Sequence, residues 1–159
     1  MSSRLDSLIE RIQNELVELE YVVERVETGW QRAKLSGDDY YLDSVALNLH
    51  GLYNGLERVF EQIAMLLDGS QPRGENWHQL LLTQMAKEVI KVRPAVISDS
   101  SYVGLDELRG FRHVVRNVYT FKFNPQKLDK LVSQVGPLYK QVQLELMAFA
   151  DFLESAKDE

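Results

Sequence analysis

Cysteine is absent from the 159-residue chain, which excludes disulfide frameworks, thiolate zinc sites and cysteine nucleophiles together. Long apolar runs are absent as well. None approaches the roughly 20 residues that a bilayer-spanning helix requires, so no membrane contact is expected. There is no sustained β-alternation and no internal repeat. No Gly-rich phosphate loop occurs, no serine sits in a nucleophile elbow, and no histidines and carboxylates fall at metal-ligand spacing. Neither a metal nor a cofactor is expected. The first residues, Met-Ser-Ser-Arg-Leu-Asp, run straight into an amphipathic pattern with acids on its polar side. That is unlike a signal or transit peptide and, with the missing thiols, points to the cytoplasm.

What the chain does have is enough apolar material for a core: 45% of residues are hydrophobic, and the length suits one domain over residues 1–159. Its formal net charge is −6, with a pI near 5.1. The average surface therefore repels phosphate, and any contact with nucleic acid must rest on a local basic patch.

Apolar residues recur at Leu5, Leu8, Ile9, Ile12, Leu16, Leu19, Val22, Val23 and Val26, the three-four spacing of a long one-sided helix. Ser-Gly-Asp-Asp at 36–39 breaks it. A second helix follows from Leu42 through Leu56 and Ile63 to Leu67, and Gly69 ends it. Asn76 is placed to cap a third helix running through Leu80, Leu81 and Met85 to Val89. Arg93-Pro94 closes that helix, and a loop is expected as far as about Gly104. The fourth helix holds Leu105, Leu108, Phe111, Val115 and Val118. Asn124-Pro125 starts a fifth over Leu128 to Leu153, which Gly136-Pro137 should kink or split. The expectation is an all-α, antiparallel bundle of about five helices.

On the fourth helix Arg109, Arg112, Arg116 and Tyr119 are spaced by three, four and three, so they share one stripe beside the apolar one. Guanidinium groups at that spacing repel one another. Either a phosphate ligand relieves the repulsion, or the arginines pair with acids such as Asp106, Glu107 or those of the first helix. His113, next to Arg112, is a candidate general acid or base by residue type, although a lone surface histidine is usually inert. His50 reads as a packed residue of the second helix, and His78, after Trp77, as one that seats a helix start. Glu57, Arg58 and Glu61 are ionisable groups in a largely apolar helix. They either face the arginine cleft or edge the core.

Several segments resemble one family: Leu-Asn-Leu-His-Gly-Leu-Tyr-Asn-Gly-Leu-Glu-Arg-Val-Phe at 47–60, Trp77-His78 with Leu81-Leu82, Arg93-Pro94, and Phe111-Arg112-His113 running on to Tyr119. Together they resemble the HEPN superfamily, and within it the HepT-like proteins encoded beside a minimal nucleotidyltransferase in toxin–antitoxin pairs. The family signature is an arginine, four residues, a histidine, one residue and a tyrosine. Here it selects Arg112, Asn117 and Tyr119, with asparagine where active ribonucleases of the family carry histidine.

The resemblance implies a metal-independent endoribonuclease that cleaves RNA such as tRNA in the cleft of a homodimer. Arg112, with Arg109 and Arg116, would hold the phosphate and stabilise charge developing on it. An asparagine amide cannot exchange a proton near neutral pH, so Asn117 would complete the site by hydrogen bonding, or His113 would substitute from one turn away, about 6 Å along the axis. The resemblance further implies that the partner nucleotidyltransferase, as antitoxin, silences the enzyme by transferring AMP to Tyr119. The added charge and bulk would block the arginine stripe; an aromatic residue at a helix end also commonly finishes a core. Two other readings stand beside this one: a HEPN protein without cleavage activity that serves as the nucleotidyltransferase's binding partner or substrate, and a plain helical scaffold.

Overall fold

The apolar spacing becomes helix over most of its length. The computed structural model describes residues 2–117 and 122–158. Its helices are α1 (Ser2–Ser36), α2 (Tyr40–Ile63), α3 (Trp77–Met85), α4 (Asp99–Asn117) and α5 (Pro125–Lys157), with one π-helical turn, Ala64–Asp68, continuing α2. The described residues hold one isolated bridge, Val89 to Arg93, and no strand. The fold is an all-α helical bundle.

α1 packs most extensively on α2 and next on α5, while α4 lies against α2, α5 and α3. The α1–α2 connection spans only residues 37–39, so the two helices run antiparallel. Leu8, Ile12, Leu16, Leu19, Val23 and Val26 of α1 are buried against Val45, Leu49, Leu52, Leu56 and Val59 of α2. The helices approach closely at Gly55. A Cβ there would stand 2.6 Å from Leu19 Cδ2 and 2.7 Å from Glu15 Oε1, so any side chain would force Leu19 and Glu15 to move. The Tyr139 hydroxyl of α5 donates to the Leu16 carbonyl at 2.6 Å, tying α5 to α1 through a buried bond.

Helix ends follow local chemistry. The Asn124 side chain accepts from the backbone N–H of Gln126 at 2.9 Å and of Lys127 at 3.4 Å, with Pro125 at the first helical position where its missing N–H costs nothing. α5 continues through Pro137 to Lys157 without splitting. The π-turn ends at Gly69, whose φ of 70° is the left-handed conformation that favours glycine.

The third helix differs from expectation: it stops at Met85 rather than Val89. Its last carbonyls are taken by groups from outside the helix. The backbone N–H groups of Val96 and Ile97 both donate to the Met85 carbonyl, at 2.8 and 3.2 Å. The Arg93 guanidinium, fully buried, donates to the carbonyls of Gln84, Lys87 and Pro94 and forms a fork with Asp68 at 2.7 and 2.8 Å. Gln84 Nε2 also donates to Asp68, at 2.7 Å. Arg93 thus clamps the end of α3 to the π-turn. The loop is also displaced: α4 starts at Asp99, because the Ser98 hydroxyl accepts from the Ser101 N–H at 3.3 Å and acts as an N-cap.

Candidate functional site

Tyr53, Glu57 and Glu61 follow one another at four-residue intervals along α2, so they form a single stripe. Tyr53 and Glu57 are buried, Glu57 being only 4% exposed. A buried carboxylate requires partners, and the nearest comes from α3. His78, the second residue of that helix, brings Nδ1 to 2.6 Å from Glu57 Oε2. The carboxylate accepts, so Nδ1 carries the ring proton and Nε2 is left as the second functional nitrogen. Trp77 lies beside the imidazole with ring centroids 3.7 Å apart.

Arg112 of α4 completes the cluster. Its Nη1 stands 3.1 Å from His78 Nδ1 and 2.9 Å from Nε2. A point that close to both nitrogens of one ring lies over the ring face, since in the ring plane it would overlap ring carbons. The guanidinium therefore meets the imidazole through Nη1, over the ring face. Arg112 is half-buried, and its Nε is buried without a hydrogen-bond partner among the described residues. The Tyr53 hydroxyl lies beside Glu57 but makes no hydrogen bond of good geometry among the described residues. Burial first, and then the charge of Glu57, push its phenol far above the ordinary range, while Arg109 and Arg112 pull the other way. Glu61 is raised above a normal carboxyl, again by burial first and by the Glu57 charge second.

The predicted residues separate on this frame. Arg112 is held against α2 and α3, whereas Arg109 forms a pair with Asp106 of its own helix at 2.8 Å, both side chains about a third exposed. Glu107, the other acid considered, faces Lys130 of α5 at 3.8 Å. His113 is exposed on α4. The side chains of Arg116 and Asn117, and all of Tyr119, lie outside the described residues. Of the α2 charges, Glu57 and Glu61 face the Arg112 cluster, while Arg58 turns to Glu15 of α1 at 3.2 Å. His50 pairs with Asn54 at 3.0 Å within α2.

His78 is the residue that sequence reasoning undervalued. Its signal was present but divided: a glutamate inside an apolar stripe and a histidine at the start of another helix, each lacking a partner nearby in sequence. No group of histidines and carboxylates suited to a metal ion occurs among the described residues. Grooves of about 500 Å³ along α1 and α2, near Tyr21 and Arg25, and about 600 Å³ by Ile90 and Phe152, lie away from the cluster. The cluster is a partly open surface, suited to an extended ligand more than to an enclosed small molecule. No helix formed by the described residues is long and apolar enough to cross a membrane.

Comparison with curated proteins and with solved structures gives no match. A family model described as HepT-like protein matches residues 44–153, which run from α2 to the last turns of α5 and include Glu57, His78 and Arg112. The chain therefore belongs to the HepT-like family.

Proposed function

We propose that this chain is the toxin of a HepT-like toxin–antitoxin pair: a homodimeric, metal-independent endoribonuclease acting on RNA such as tRNA, silenced when a minimal nucleotidyltransferase transfers AMP to Tyr119. The observation that carries it is Arg112. Its Nη1 lies on the face of a histidine that a buried glutamate orients, and its Nε is buried with no acceptor among the described residues, a state that costs about 1–3 kcal/mol. A phosphate oxygen is a strong acceptor for guanidinium N–H groups, and the guanidinium then opposes the charge that builds as the phosphate is attacked.

In this reading Arg112 is the primary phosphate ligand, Arg116 extends the positive track, and Arg109 joins it on release from Asp106. Asn117 contributes hydrogen bonds. His113, exposed one position beyond Arg112, is the proton donor or acceptor closest to the arginine in sequence. A second reading, in which the chain binds or is modified by the nucleotidyltransferase without cutting RNA, is favoured by Asn117 at the signature position.

The test is growth and tRNA integrity on inducing the chain alone, followed by Arg112→Ala and Asn117→His. Cleavage by the unmodified chain, lost in Arg112→Ala, supports the toxin. Cleavage gained only with Asn117→His supports the second reading. Peptide mapping after co-expression with the nucleotidyltransferase locates the AMP, and a modification elsewhere than Tyr119 overturns that assignment.

A further inference from the structure

We propose that His78, oriented by Glu57, is the proton-transfer residue of this site and supplies the function of the histidine whose place Asn117 takes; the proposal rests on the ribonuclease reading above. The Glu57 carboxylate takes the Nδ1–H of His78 at 2.6 Å, which sets both the ring orientation and the tautomer, as a carboxylate does for a catalytic imidazole. Arg112 approaches both ring nitrogens from above the face, so it does not itself occupy the in-plane direction of Nε2. The imidazole side chain is 21% exposed while Glu57 is nearly covered: the orienting group is inside and the ring it orients reaches the surface.

A buried helix anchor would satisfy both nitrogens inside the protein. Here Nε2 has no in-plane partner among the described residues, and its neighbour is the arginine that holds phosphate. A phosphodiester seated on the free edge of Arg112 lies next to that nitrogen. Nε2 takes the proton of the ribose 2′-hydroxyl as the O2′–P bond forms and the P–O5′ bond breaks. The departing 5′-oxygen takes a proton from water, and the imidazolium returns its own to solvent. The products are a 2′,3′-cyclic phosphate and a 5′-hydroxyl, with no metal, oxidant or second substrate consumed.

The experiment uses the full chain, with total tRNA and single-stranded oligoribonucleotides covering every dinucleotide step as probes. Wild type, His78→Ala, His78→Gln, Glu57→Gln, His113→Ala and Asn117→His are compared for kcat, KM, product termini and unfolding midpoint. The expected result is cyclic-phosphate ends from wild type and a fall in kcat of about 10²–10⁴-fold for His78→Ala, with KM little changed and activity partly restored by added imidazole. His78→Gln preserves hydrogen bonding but cannot move a proton near neutral pH, so it stays inactive even if His78→Ala does not fold. Glu57→Gln lowers kcat by less and leaves KM in place.

Wild-type kcat in a folded His78→Gln or His78→Ala variant overturns the assignment, as does a loss of cleavage confined to His113→Ala. Cleavage by Asn117→His but not by wild type overturns it too, yet leaves the family site recognisable. Cleavage by neither overturns the ribonuclease reading itself.

Discussion

Arg93 offers the sharpest test of how the site is held. A guanidinium has five N–H groups, and those of Arg93 go to the two Asp68 oxygens and the carbonyls of Gln84, Lys87 and Pro94. Replacing it by methionine keeps the apolar stem but strands the Asp68 carboxylate, whose side chain is 4% exposed, with Gln84 as its remaining partner. Breaking a buried pair from one side costs about 3–5 kcal/mol. Replacing both partners by apolar residues is often neutral, but here the cation also satisfies two loop carbonyls and one at the end of α3. Arg93→Met with Asp68→Leu is therefore expected to recover the carboxylate's share and still fall short of wild type by about 1–3 kcal/mol. Urea unfolding followed by circular dichroism, closed as a double-mutant cycle, measures both quantities. Because the clamp fixes the end of α3, the single variant should also loosen His78 from Glu57, visible as a changed imidazole signal in NMR. A double variant as stable as wild type would refute the idea that Arg93 organises the loop after α3.

Three further outcomes follow from the packing and the charges. Gly55→Ala should destabilise by about 1–3 kcal/mol through overpacking against Leu19, with the unfolding midpoint as the measure; an unchanged midpoint would show that α1 slides freely over α2. Asp106→Ala releases Arg109 from its 2.8 Å pair, so tRNA binding should tighten and the salt dependence of log K steepen by about one phosphate's worth. Equal slopes for variant and wild type would remove Arg109 from the binding surface. Glu61 has a raised folded-state pKa from burial and then Glu57, only partly offset by Gln71, His78 and Arg58. The folded chain therefore holds that proton to higher pH than the unfolded chain, and stability falls as pH rises from the ordinary carboxyl value of 4.5 through the raised one. Glu61→Gln should flatten this loss and stabilise the protein at neutral pH by under about 1 kcal/mol, solvent screening discounted. A stability difference independent of pH would refute it.

The helices were legible because helix formation in a bundle is read from local periodicity. The apolar spacing of Leu8 to Val26, the Asn124-Pro125 start and the Gly69 stop each act within a few residues, and each appears where the sequence placed it. Spacing on one helix put Arg112 in a stripe with Arg109, and the resemblance to the family signature singled it out. The end of α3 was not legible, because Arg93 and the N–H groups of Val96 and Ile97 compete for its carbonyls from beyond the helix, and that competition exists only once the loop has folded back. The same holds for the site. Glu57, His78 and Arg112 stand on three helices, 21 and 34 residues apart in successive pairs, so no local pattern joins them. The sequence by itself determined an all-helical bundle with one arginine-bearing face. Only the tertiary structure decided that a buried carboxylate orients a histidine beneath the central arginine, because the charge of Glu57 can be kept inside the fold only where α3 and α4 bring it partners.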